Sequence, residues 1–214
     1  GKTNEMGEYK VFVSSLHATY GRAHERLELV ANDAGMTSAE NARHTDGLGL
    51  AYVMALKENQ PTLFAEAERL CGWGEHKQLR YVCEASTPRE RYRGSWIRRD
   101  LYRSREIEEW PQWESARQIW RVKQTTEAPD GTVTVENRYF ITNLAWGRLK
   151  PHQILAVVRA MWGVENGCHW TLDVQMKQDT RCWCTTGKAQ RALSWLRLLA
   201  YNALGFFKHR YLRS

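Results

Sequence analysis

No stretch of this 214-residue chain strings together enough apolar residues to cross a bilayer as a helix, which takes roughly 20. No segment reads as a signal peptide, and there are neither internal repeats nor low-complexity tracts. Cysteines are few: Cys71, Cys83, Cys168, Cys182 and Cys184 make an odd number without the spacing of a secreted scaffold. Reduced cytosolic thiols are the better reading. Cys182 and Cys184 could be drawn with Cys168 and His169 as a zinc site, but no second pair stands at finger spacing and the signal is weak. Aspartate is scarce at the start, where none precedes Asp33. What remains, 43% hydrophobic and 26% charged, suits an ordinary folded protein able to bury a full core.

The net charge of +7 is unevenly spread. Residues 1–75 hold 7 Lys/Arg against 11 Asp/Glu, whereas residues 76–125 hold 12 against 7. Residues 146–214 hold 11 against 3. A basic middle and a basic end fit a polyphosphate partner, because Lys and Arg release counterions from each phosphate they contact. A solvated basic face is the plain alternative.

Along the chain, Met6, Tyr9, Phe12, Val13, Leu16 and Tyr20 fall at helical spacing and stop at Gly21, a plausible C-cap. The β-branched Val11 and Val13 leave a strand over 9–13 as the competitor. Leu27–Ala31 alternates like a strand and ends at Asp33. An Asp at the carboxyl end of such a strand points into the crevice where α/β proteins bind ligands, or it serves as a cap or turn residue. Thr37 or Ser38 caps a helix over Ala39–Asp46, with Glu40 giving a partial capping box. Leu50–Leu56 is a continuous apolar run, suited to a strand covered on both faces. Pro61–Leu70 has helical spacing.

Residues 77–145 read as β-rich, with short runs at Tyr81–Cys83, Ser95–Ile97, Ile119–Val122 and Arg138–Ile141, and a turn at Asp130-Gly131. Trp96, Trp110, Trp113 and Trp120 interleave with arginines there, which suits stacking on a splayed base or packing of a β layer. At the end, Ala192, Leu193, Leu196, Leu199, Ala200, Ala203 and Leu204 form an apolar stripe on a helix over Lys188–Tyr211. Packing is its first reading, and phosphate contact at its basic end the second.

The most informative stretch is 151–175. Pro151 suits a first helical turn, and Ile154, Val157, Val158, Met161, Cys168 and Leu172 recur at helical spacing. Glu165 falls inside that stripe, where a carboxylate is costly unless something positive meets it. Trp162, His169 and Asp173 lie roughly 40–80° around the helix from it. Glu165 is therefore a metal-binding or catalytic acid, or a Glu paired with Arg at a helix seam.

The string Arg159-x-x-Trp162-Gly163-Val164-Glu165-Asn166-x-x-His169-Trp170-x-Leu172-Asp173-Val174, with Asp179 and Arg181 after it, resembles the C-terminal motif of bacterial insertion-sequence DDE transposases, in the branch of the H-repeat-associated proteins. Gly1–Met6, the Leu56-Lys57-x-Asn59-Gln60 segment, Arg93-Gly94 and the stretch from Trp110 to Val122 resemble the same family. Met161 and Gln178 depart from it, standing where relatives have His and Glu.

The resemblance implies an α/β, RNase H-like fold, partial because three strands and the first catalytic Asp would lie upstream of Gly1. It implies a first part of the core at 1–75, a β-rich insertion at 76–145 and the C-terminal helical part at 146–214. Asp33 and Glu165 become the second and third metal-binding catalytic carboxylates. Asn166, His169 and Asp173 would surround them or position phosphate, and Lys57, Arg93, Arg159, Trp162 and Arg181 would contact DNA. The cofactor would be Mg²⁺, with Mn²⁺ as substitute, as two ions. The activity would be cleavage and strand transfer at element ends, with terminal inverted repeats and target DNA as partners. Such a protein would work as a homodimer on DNA, away from membranes, in the bacterial cytoplasm and at the nucleoid. This stretch alone would be inactive for want of the first Asp, and the competing expectation is a transposase remnant that binds DNA without cutting it. A repair or RNA-cleaving nuclease of the same fold is a third.

Overall fold

Helix and strand alternate through the first third of the chain, as the hydrophobic spacing predicts. A computed structural model describes residues 5–21, 27–72, 83–107, 110–164, 171–172, 176–177 and 186–211. Within it α1 (Glu5–Tyr20) is a helix over its full predicted length, and no strand forms at 9–13. Tyr9 and Val13, one turn apart, are buried, while Val11 and Phe12 face solvent, so helical periodicity overrides the β-branched preference. Gly21 closes α1 by donating to the His17 carbonyl at 2.8 Å. A Cβ there would stand 2.3 Å from that oxygen, so only glycine fits.

β1 (Leu29–Asn32) and β2 (Ala51–Leu56) pair in parallel, with α2 (Ala39–Gly47) between them. Ser38 caps α2, its hydroxyl accepting from the Asn41 N–H at 3.1 Å. Glu40 pairs with Lys10 of α1, so its carboxylate ties two helices together. That hydrogen bond and the lysine charge hold the Glu40 carboxyl below its ordinary range. α3 (Pro61–Leu70) begins on Pro61 as expected.

Residues 83–142 form the rest of one mixed sheet. β3 (Ala85–Ser86), β4 (Glu90–Tyr92), β5 (Ser95–Ser104), β6 (Gln118–Glu127) and β7 (Val133–Thr142) are joined by antiparallel pairs. The order is β1-β2-β7-β6-β5-β3, with β4 also on β5. β7 lies antiparallel to β2, Met54 opposite Ile141 and Leu56 opposite Tyr139. The β-rich stretch is thus continuous with the sheet that β1 and β2 begin. Cross-strand partners share a face. One face therefore presents Tyr52, Met54, Leu56, Ile119, Tyr139 and Ile141 to a core that also takes in Tyr9, Val13, Leu63 and Leu70. The other carries Val53, Trp120, Val122 and Phe140, all buried. β2 and the end of β7 from Tyr139 to Ile141 are apolar on both faces because both faces are covered there.

Two turns follow local chemistry. Arg93 and Gly94 both have positive φ between β4 and β5, as a type I′ hairpin requires. Asp130 accepts from the Thr132 N–H at 2.9 Å, and Gly131 has φ 83, so the expected Asp-Gly turn is present. The expected run at Tyr81–Cys83 lies largely outside the described residues. Trp110 is packed against the core, Trp113 is buried in it from the 3-10 turn Pro111–Trp113, and Trp120 is buried on β6, which corrects the base-stacking reading for those three. Trp96 is the exposed member, with the Arg89 guanidinium 5.2 Å from its ring centre.

The chain divides into two compact units, Gly1–Ala156 and Val157–Ser214. The boundary falls inside α4 (Pro151–Gly163), where Ile154, Leu155, Val158 and Trp162 are buried. In the second unit, α5 (Gly187–Tyr211) carries the predicted stripe, but Leu196, Leu199 and Leu204 are exposed.

Candidate active site at the carboxyl ends of the parallel strands

β1 ends at Asn32, opposite Met54, and β2 runs two residues further to Leu56. The residues that follow each strand are therefore neighbours at the carboxyl edge of the sheet, where α/β proteins hold ligands. After β1 comes Asp33; after β2 comes Lys57. Their side chains are 75% and 68% exposed, and Lys57 Nζ stands 4.0 Å from Asp33 Oδ1. An ion pair so exposed contributes little to stability. An acid kept there is available for chemistry.

Asp33 also begins a 3-10 turn (Ala34–Met36). Its Oδ1 accepts from the Ala34 N–H at 2.6 Å, and among the described residues no hydrogen bond engages Oδ2. The turn reading of Asp33 is thus met, and its side chain stays exposed at the end of β1. Beneath the turn runs a chain of polar contacts. The buried Thr37 hydroxyl donates to the Ala55 carbonyl at 2.6 Å, with the Asp33 carbonyl 3.3 Å away. Asn41 donates to Met36 at 2.8 Å. Asn32 donates to the Tyr9 hydroxyl at 2.8 Å, which meets Thr45 at 2.9 Å. From the loop after β2, Asn59 donates to the Ala34 carbonyl at 2.8 Å and Gln60 to the Thr37 carbonyl at 3.2 Å. Sequence reading notes Asn59 and Gln60 within a segment but gives neither a role; the only signal is two amides between a buried strand and a helix-starting proline.

Other expected site residues are placed as follows. Arg93 sits on the β4–β5 turn, its guanidinium 5.2 Å from the Tyr92 ring centre. Four strands separate β4 from β1 in the sheet, about 24 Å at ordinary strand spacing, so Arg93 is not brought to Asp33. Arg159 is exposed on α4 and Trp162 is buried there. Glu165, Asn166, His169, Asp173 and Arg181 lie outside the described residues, as do Cys168, Cys182 and Cys184. Among the described residues no three His, Cys, Asp or Glu side chains gather as a metal cluster, and no helix is long and apolar enough to cross a membrane. Asp33 by itself fits a hard divalent cation: a solvent-facing carboxylate oxygen without a competing donor is the ligand type Mg²⁺ takes.

The arginines of the basic middle are largely engaged within the sheet. Arg99 pairs with Glu90, Arg103 with Glu84, Arg89 with Glu127, and Arg98 with Asp100 at 2.9 Å. Arg103 also lies 4.0 Å from the Trp146 ring centre and Arg121 3.9 Å from that of Tyr102. A groove of about 470 Å³ on β5 and β6, lined by Arg89, Trp96, Arg98, Asp100 and Lys123, holds both signs of charge and belongs to this layer, not to the Asp33 edge.

A family model described as a transposase DDE domain matches residues 1–203. No curated protein matches the chain.

Proposed function

The chain belongs to the transposase DDE-domain family, with an α/β fold of the RNase H-like kind, and from that premise we propose that it cleaves and joins DNA strands at insertion-sequence ends, using Asp33 and Glu165 as metal-binding carboxylates. The observation that carries this reading is Asp33 itself, exposed at the carboxyl end of β1 beside Lys57 of β2. Glu165 supplies the second acid, from the helical motif that resembles the family.

Asp33 and Glu165 would hold Mg²⁺, or Mn²⁺ in its place. When bound, a pair of such ions activates the attacking oxygen and stabilises the leaving one in an in-line displacement at phosphorus. Asp33 keeps Oδ1 on the Ala34 N–H, leaving Oδ2 for the ion. Lys57 offers its ammonium to a phosphate oxygen at the same edge. Asn166, His169 and Asp173 orient the phosphate or the ligands, and Arg159, Arg181 and Arg93 contact DNA. In the first reaction water attacks the phosphodiester and a 3′-hydroxyl leaves. In the second that hydroxyl attacks target DNA, one P–O bond forming as another breaks. Residues 76–145 act as the insertion between the two acids, and bringing two element ends together calls for a dimer on DNA.

The test is cleavage of a duplex carrying the terminal inverted repeats by the native polypeptide with Mg²⁺ or Mn²⁺. Asp33→Asn and Glu165→Gln should each reduce it at least a hundredfold. Wild-type rates in either variant would remove that residue from the reaction.

A further inference from the structure

The turn that presents Asp33 has little of its own to hold it. Its backbone supplies the Met36 N–H to Asp33 carbonyl and Thr37 N–H to Ala34 carbonyl bonds, both 3.1 Å, and the Thr37 and Asn41 side chains reach the Asp33 and Met36 carbonyls. Its other restraints come from elsewhere in the chain. Asn59 grips the carbonyl of Ala34, and Ala34 is the residue whose N–H fixes Asp33 Oδ1. Gln60 grips Thr37, immediately after the turn. Asn59 is exposed and Gln60 half-buried, so neither contributes much by packing. Two amides, one exposed and one half-buried, held on backbone carbonyls 25 and 23 residues away lose side-chain freedom, and a restraint on the Asp33 carboxylate accounts for that arrangement.

We infer that Asn59 and Gln60 are positioning residues that aim Asp33 Oδ2 at the divalent ion. The inference rests on the reading of Asp33 as a metal ligand. Asn59 acts through a single residue: without its amide the Ala34 peptide can rock, and Oδ1, tied to that peptide, carries Oδ2 off line. Outer partners of metal ligands typically change affinity 10–100-fold when removed. A purely structural role for the amides would lower the thermal midpoint and leave the affinity of the folded protein unchanged.

The experiment is a Mn²⁺ titration of the whole chain followed by paramagnetic broadening of the Ala34 amide resonance, with the thermal midpoint measured in parallel. Asn59→Leu keeps the branched shape and removes the donor; Gln60→Ala removes the longer bond, and either variant decides the matter if the other fails to fold. Asn59→Leu should raise the broadening midpoint about tenfold, and Gln60→Ala about threefold, with little change in the thermal midpoint. Asp33→Asn should abolish broadening at Ala34. Wild-type midpoints in the folded amide variants, with broadening lost in Asp33→Asn, would overturn the positioning role and leave Asp33 as the ligand. Wild-type broadening in Asp33→Asn would overturn both.

Discussion

The two ends of the sheet use charge in opposite ways. In the β3–β7 region, cations are built into the structure: Arg103 is nearly buried between Glu84 and the Trp146 ring, and Arg99 lies against Glu90. At the β1–β2 edge, Asp33 and Lys57 stand in solvent with a single 4.0 Å contact between them. The region whose composition suggests a nucleic-acid surface spends its arginines on holding strands together. The acidic first third, which composition alone would set aside, presents the exposed acid proposed as a metal ligand. Net charge by segment therefore overstates one region and hides the other.

This contrast can be broken by asking which substitutions cost stability. Trp120→Ala, deep in the sheet, should lose the most, about 3–5 kcal/mol, read from a urea midpoint. Arg103→Ala should follow at about 3 kcal/mol, since it strands Glu84 and removes the contact with Trp146. Asp33→Asn should change stability by less than about 1 kcal/mol, because Asn caps the turn nearly as well and the exposed ion pair contributes little. A large loss from Asp33→Asn, or none from Arg103→Ala, would erase the distinction between the two regions.

A smaller effect is expected at high pH. Burial pushes the Tyr52 phenol, which meets Ser115 at 3.1 Å, up to about 12 from its ordinary 10.0. Burial likewise pushes the Cys71 thiol up to about 12 from 9.0. Both groups hold their protons more tightly folded than unfolded. Their contribution is complete below about pH 9 and is lost as pH rises towards 12. The thermal midpoint should stay flat to about pH 9 and then fall, with Tyr52→Phe softening the fall. A midpoint that rises through this range would contradict the burial of both groups.

Much of the architecture is readable in the residues. The apolar run of β2, Ser38 and Pro61 at their helix starts and the Asp130-Gly131 turn are local signals, and local physics decides them. Asp33 is readable for the same reason: its place at a strand end is a fact of spacing. Trp113 and Trp120 are harder, because an aromatic beside arginine looks alike on a surface or in a core until strand register is known. On α4 the buried line runs Ile154, Leu155, Val158, Trp162, turned from the expected Val157–Met161 side. Trp162, one turn after Val158, lies on that buried line, where the resemblance implies a DNA contact. Asn59 and Gln60 could not be assigned from sequence, because their partners are carbonyls more than twenty residues away.

The most direct test of two carboxylates sharing one ion is to let the ion mark its own surroundings. Fe²⁺ exchanged for Mg²⁺, with ascorbate and peroxide, generates radicals that cut the nearest backbone. Cuts should fall at both Asp33 and Glu165, fade together as Mg²⁺ competes, and disappear together in Asp33→Asn. Cuts at one acid alone, or cuts at Glu165 that persist in Asp33→Asn, would show that the two do not share a metal.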